Sequence, residues 1–233
     1  MPLVFFLFRP RCTACKGGGI PWIPVKRGRE GIATVTGLSG VKMDRLAYLF
    51  SILLHPIPVS TALFCVFTLG GDGPGRTQLF WIFLASLFSA ALPIACLLFL
   101  RAGGKVSDFS LPNRLERTRP LLAGLTCYGL GTLVLFAAGG PKQVVVLMGC
   151  HAVAAGMAAL VNLRWKISLH AVGACSGLVA LYYCMGQRTL WLSPVVTAIA
   201  WARLRMGAHT PSEILAGAGL GALATFSVME LLT

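Results

Sequence analysis

The chain has 233 residues, of which 56% are hydrophobic and only 12% charged, with a mean hydropathy of +0.79. A water-soluble domain of this length carries about 25% charged residues, so a soluble protein is excluded, and the lack of strand-like alternation excludes a β-barrel. The net charge of +13 falls in the tail and between apolar runs, with no basic–aromatic interleaving, so it points to membrane orientation and headgroup contact and not to nucleic acid.

Residues 1–43 differ from everything that follows. They hold Arg9, Arg11, Lys16, Lys26, Arg27, Arg29 and Lys42, many glycines and four prolines. Leu3–Phe8 is too short for a signal-peptide core and precedes the charges instead of following them. The abrupt change of composition at Met43 raises the expectation that translation begins there and that the tail is an over-called start. Cys12 and Cys15 form a lone CxxC, which without a second pair or a histidine is weak evidence for a metal.

The second unit, 44–233, reads as an all-α polytopic bundle of six to seven transmembrane helices. Seven apolar segments are predicted, at about 45–69, 77–100, 120–139, 142–163, 169–187, 190–206 and 211–232, each near the length a bilayer core requires. The first carries His55-Pro56 and Pro58, which predicts a kink with His55 bonding a freed carbonyl. His151, inside the fourth segment, is expected to be a neutral ring bonded to a neighbouring helix. Gly173 and Gly177, and likewise Gly217 and Gly221, are four apart, a spacing that lets helix backbones approach closely in lipid. Cys65, Cys96, Cys127, Cys150, Cys175 and Cys184 lie in apolar runs and read as small hydrophobes. Trp165, Trp191 and Trp201 read as interface anchors.

Counting crossings puts the connections 101–119, 164–168 and 207–210 on one side of the membrane. They carry Arg101, Lys105, Arg114, Arg117, Arg119, Arg164, Lys166, Arg203 and Arg205, together with His170 and His209; the other side has Arg76, Lys142 and Arg188. A phosphate group suits such a face, because guanidinium forks match phosphate oxygens and helix N-termini add oriented N–H groups. Magnesium or calcium would want carboxylates, and only Asp108, Glu116 and Glu213 are available there, unpaired at short spacing. Zinc-ligand spacing is absent. Metal-free phosphate chemistry needs a nucleophile and a proton donor, and histidine serves as either.

Residues 203–213 read Arg-x5-His-x3-Glu, which resembles the third signature of the type-2 phosphatidic acid phosphatase family, Ser-Arg-x5-His-x3-Asp. Residues 167–170, ISLH, resemble the second, Pro-Ser-Gly-His, and residues 112–120, PNRLERTRP, the first, Lys-x6-Arg-Pro. The resemblance covers about residues 100–220, and its three blocks occur in order on one face. It implies that His209 attacks phosphorus to form a phosphohistidine, that Glu213 orients it, and that His170 protonates the leaving group. It further implies that Arg203, Arg119 and the amide of Leu169, with Ser168 assisting, hold the phosphoryl oxygens. Pro112 stands where the family has lysine, and Arg114 or Lys105 would have to supply that charge. Ile167 and Leu169 replace a proline and a glycine, the leucine crowding the backbone's approach to phosphate. Ala202 replaces serine, and Glu213 replaces aspartate.

Thr210-Pro211-Ser212-Glu213 is also a capping box, so Glu213 is expected both to cap and to orient His209. The function expected is an integral membrane phosphatase, needing no cofactor, whose partner is a lipid or isoprenoid phosphate or diphosphate. The alternatives are a non-enzymatic protein that binds or moves anionic lipids and a lipid phosphotransferase. A bacterial inner membrane is the expected location. The positive-inside rule puts the site face in the cytoplasm, whereas the resemblance points to the periplasm; both stay open here.

Overall fold

In the computed structural model, residues 38–71, 74–107, 111 and 114–233 are described, with side chains from residue 43 onward. The CxxC and most of the basic tail lie outside the described residues. Every element among the described residues is helical: α1 Leu38–Leu53, α2 Pro56–Leu69, α3 Gly75–Ser86, a π turn Leu87–Ala91, α4 Leu92–Ala102, α5 Arg114–Ala137, α6 Lys142–Asn162, α7 Leu169–Met185, a 3-10 segment Gly186–Leu192, α8 Ser193–Arg205 and α9 Pro211–Leu232.

Prolines set the breaks. Pro56 forces His55 into an extended conformation (φ −64°, ψ 144°), because the ring after it crowds the helical region. The result is a bend of 49° between Met43–Leu53 and Pro56–Leu69. Pro93 has no N–H to return to the preceding turn, and just before it the Leu92 N–H bonds Leu87 O across a π turn, so α3 and α4 continue as one rod, Gly75–Ala102.

The chain is a polytopic helical membrane protein. Five of its helical stretches are long and apolar enough to cross a bilayer, or six if the bent α1–α2 pair is one span. One of the five, Leu169–Arg205, is continuous only along the sequence. His170 near its start and Arg203 near its end both bond Ser51, yet a straight helix would hold them roughly 50 Å apart. The stretch therefore folds back at Gly186, whose φ of 67° and ψ of −151° suit a glycine. Counted as two arms, α7 and α8 complete the seven segments expected from hydropathy. At 13 residues, α8 is short of the roughly 20 that a full crossing uses.

Both glycine pairs sit at close helix crossings. A Cβ placed on Gly221 would lie 2.2 Å from Val172 O, and one on Gly217 2.6 Å from Ser168 O. Thus α9 presses directly on the first turns of α7. Gly173 and Gly177 instead admit Pro56 and Leu63 of α2. One apolar cluster, with Phe64, Leu135, Leu147, Met148 and Met229 at its centre, fills the bundle between α2, α5, α6 and α9. A second, of Leu121, Ala158, Ile167, Val172 and Ala224, supports the ends of α5 and α7 that carry the site.

The half-buried His151 bonds a neighbouring helix as expected, its Nε2 2.9 Å from Ser60 Oγ of α2 and its Nδ1 2.8 Å from Leu147 O. Trp165 and Trp191 are exposed. Trp201 is half-buried and packs edge-on against Phe50, ring centroids 6.4 Å apart, so it ties α8 to α1.

Candidate active site

Three connections distant in sequence meet at one end of the bundle. Ser168 N–H donates to Glu213 O (3.1 Å), and Lys166 Nζ donates to Ala208 O (2.9 Å). Arg117 reaches across with Nη1 to Ile167 O (3.1 Å) and with Nε to Leu111 O (2.6 Å). These bonds are main-chain clamps, so the loops carrying His170 and His209 are fixed by backbone as well as by side chains.

The 203–213 segment builds its own geometry locally. Gly207 at φ 61° ends α8 and turns the chain, a conformation that favours glycine. Thr210 then starts α9: its Oγ1 accepts the Glu213 N–H (3.3 Å), and Glu213 Oε2 accepts the Thr210 N–H (3.4 Å). The same Oε2 accepts a hydrogen bond from His209 Nδ1 at 2.6 Å. Glu213 thus caps the helix and holds the histidine at once. With its proton on Nδ1, neutral His209 carries a free lone pair on Nε2, the atom left for chemistry.

His209 is buried, 8% exposed, and its pKa is lowered to about 4. Burial is the main cause. The Glu213 hydrogen bond opposes it, while the positive charges of Arg203, Arg117 and Lys166 add to it. A histidine beside a carboxylate is usually held charged; here desolvation and three cations outweigh one carboxylate. Lys166 is lowered as well, by burial first and then by Arg117.

The charge balance is unusual for a buried cluster. Arg117, Arg203 and Lys166 surround a single carboxylate, Glu213. The other carboxylates among the described residues are engaged elsewhere: Asp44 with Arg205 (2.8 Å), Glu116 with Ser107, and Glu230 with Tyr183. Arg203 is only 8% exposed; its Nη1 donates to Ser51 Oγ (2.6 Å), and its buried Nε has no hydrogen-bond partner. Buried charge without a counter-charge is strongly destabilising, so the arrangement suits an anion.

His170 donates from Nε2 to the carbonyl of Ser51 (3.1 Å). Ser168 caps α7, its fully buried Oγ accepting the Ala171 N–H (3.4 Å). The Leu169 side chain packs against the apolar cluster beneath. Its amide, in the first turn of α7, is of the kind that helices leave unpaired.

Two expected phosphate ligands are placed otherwise. Arg119 is exposed, whereas Arg117 is buried against the site. Two residues along an α-helix rotate the side chain by about 200°, so only one of the pair faces inward, and that one is Arg117. Arg114 donates to the carbonyls of Asn162 (3.0 Å) and Leu163 and so caps the end of α6. Two further groups come from α1 and its bend, which the motifs do not cover. Ser51 bonds Arg203 and His170, and the His55 ring meets His170 at 5.0 Å between centroids, at 90°. The His55 Nδ1 accepts the Ile57 N–H (3.3 Å). Among the described residues no three His, Cys, Asp or Glu side chains gather as a metal site requires.

No family model, curated protein or solved structure matches the chain. What the fold and site define is a helical membrane protein with a buried cationic cluster at one end, in which a carboxylate-bound histidine and a second histidine lie beside two arginines.

Proposed function

We propose that this chain is a phosphoryl-transfer enzyme of the membrane and, more particularly, a lipid phosphate phosphatase of the type its motifs resemble. The observation that carries the reading is the 2.6 Å bond from His209 Nδ1 to Glu213 Oε2, set among buried cations that outnumber their carboxylate. In the first step His209 Nε2 attacks phosphorus; an N–P bond forms, the P–O bond to the leaving group breaks, and His170 Nδ1 takes the proton carried by the phosphate monoanion and passes it to the departing oxygen. In the second step water attacks the phosphohistidine, the P–N bond breaks, and His170 Nδ1 takes a proton from that water and returns it to the phosphate as it leaves. Arg117 and Arg203 neutralise the equatorial oxygens throughout, which is electrostatic stabilisation by groups already in place. Each step uses this chain's own residues.

The substrate follows from the setting. A lipid or isoprenoid phosphate or diphosphate brings its phosphate to the interface end of the bundle while its chain stays in the bilayer. His209→Ala in purified protein is the test. Phosphate release from phosphatidate, phosphatidylglycerophosphate and prenyl diphosphates is expected to fall to background, since His209 forms the covalent bond. Unchanged release overturns the assignment, and retained binding of anionic lipid without any release by the wild type favours a binding protein instead.

A further inference from the structure

We propose that Ser51 and His55, on α1 and at its bend, are positioning residues that hold His170 for proton delivery. The kinetic part of this inference rests on the phosphatase reading above. A carbonyl oxygen only accepts hydrogen bonds, so the 3.1 Å contact between His170 Nε2 and Ser51 O assigns the hydrogen to Nε2. Nδ1 is then the nitrogen through which His170 exchanges a proton with substrate. The same serine accepts from Arg203 through Oγ, so one residue of α1 registers both the proton donor and a phosphate-binding guanidinium.

His55 follows Ser51 by four residues and meets the His170 ring edge-to-face at 5.0 Å. It is itself fixed, because its Nδ1 accepts the Ile57 N–H and Pro56 sets its backbone. Pro56 in turn lies against Gly173, one turn along α7 from His170, where an added Cβ would come within 3.3 Å of the proline. The bend between α1 and α2 therefore has a chemical consequence: it seats one imidazole against another. The titratable and charged groups facing His170 are Arg203 from α8, His55 from the bend, and His209 from the loop before α9.

A purely structural His55 would only cap α2, and two substitutions separate the roles. His55→Asn keeps a good helix-capping acceptor and removes the ring; His55→Phe keeps a ring and removes the acceptor. In detergent micelles, ¹⁵N-histidine spectra of the wild type and of His55→Phe are expected to show His170 as one tautomer, protonated on Nε2. In His55→Asn that signal is expected to average between tautomers. With an alkyl phosphate, whose alkoxide needs a proton, kcat of His55→Asn is expected to fall about tenfold to a hundredfold, as misplacement of a catalytic group does. With p-nitrophenyl phosphate, whose leaving group departs unprotonated, little loss is expected. An unchanged His170 signal in His55→Asn, or equal losses on the two substrates, overturns the positioning role. A wild type that releases no phosphate from either substrate, while the His170 signal still changes in His55→Asn, removes the phosphatase reading and leaves the positioning contact standing.

Discussion

Glu213→Gln separates the two duties of one carboxylate. Glutamine at this position still serves a capping box, and a single amide oxygen can accept from both Thr210 N–H and His209 Nδ1, as Oε2 does now at 3.4 and 2.6 Å. What disappears is the charge. A hydrogen bond to an ionised group contributes about 1.5–3 kcal/mol against about 0.5–1.5 for a neutral pair, so the His209 bond weakens by about 1–1.5 kcal/mol. That corresponds to roughly a tenfold loss of rate, and more if the amide turns its NH₂ toward His209 and reverses the tautomer. The assay is kcat/KM for phosphate release from a lipid phosphate in mixed micelles, run beside a thermal melt. The expected result is a rate loss of tenfold or more with the melting temperature lowered only slightly. Full activity in Glu213→Gln would mean that the negative charge of the carboxylate does nothing for His209. A rate loss matched by a general collapse of the melt would mean that capping is its main duty.

Exchanging arginines tests the corrected ligand assignment: Arg117→Ala should cost about 3 kcal/mol in stability or transition-state binding, whereas Arg119→Ala, at an exposed position, should leave kcat/KM and melting nearly unchanged. The pH profile gives a signed expectation. The nucleophile is neutral His209, whose pKa is held near 4, so kcat/KM, which reports the free enzyme, should persist down to about that pH and fall below it. Lys166→Gln removes one of the cations that oppose protonation of the ring, so its acid limb should move to higher pH; a limb that stays fixed would show that Lys166 contributes nothing to it.

The expected elements and the observed ones agree where the cause is local. The apolar runs became helices because a bilayer leaves a lone segment no other way to satisfy its backbone. Proline at 56 bent the first span, and the glycine pairs at 173/177 and 217/221 became the close crossings. His209 and Glu213 met because the capping box of Thr210 and Glu213 turns the carboxylate back over the residues just before α9. The choice between Arg117 and Arg119 was not legible. The family pattern aligns Arg119, but the face that turns inward depends on how α5 packs against the 164–168 loop. Ser51 was equally hidden, since its contact with Arg203 joins residues 152 apart. For His55 the only sequence signal was a titratable residue next to a proline within an apolar run.

By itself, then, the sequence determined a many-spanning helical membrane protein, its breaks, and the paired histidine and glutamate at the start of the last helix, because each follows from hydropathy or from spacing within a few residues. Only the tertiary structure decided which arginine is buried and that α1 and its bend form a wall of the site. Those outcomes are set by packing between helices far apart in the chain, which no local pattern encodes.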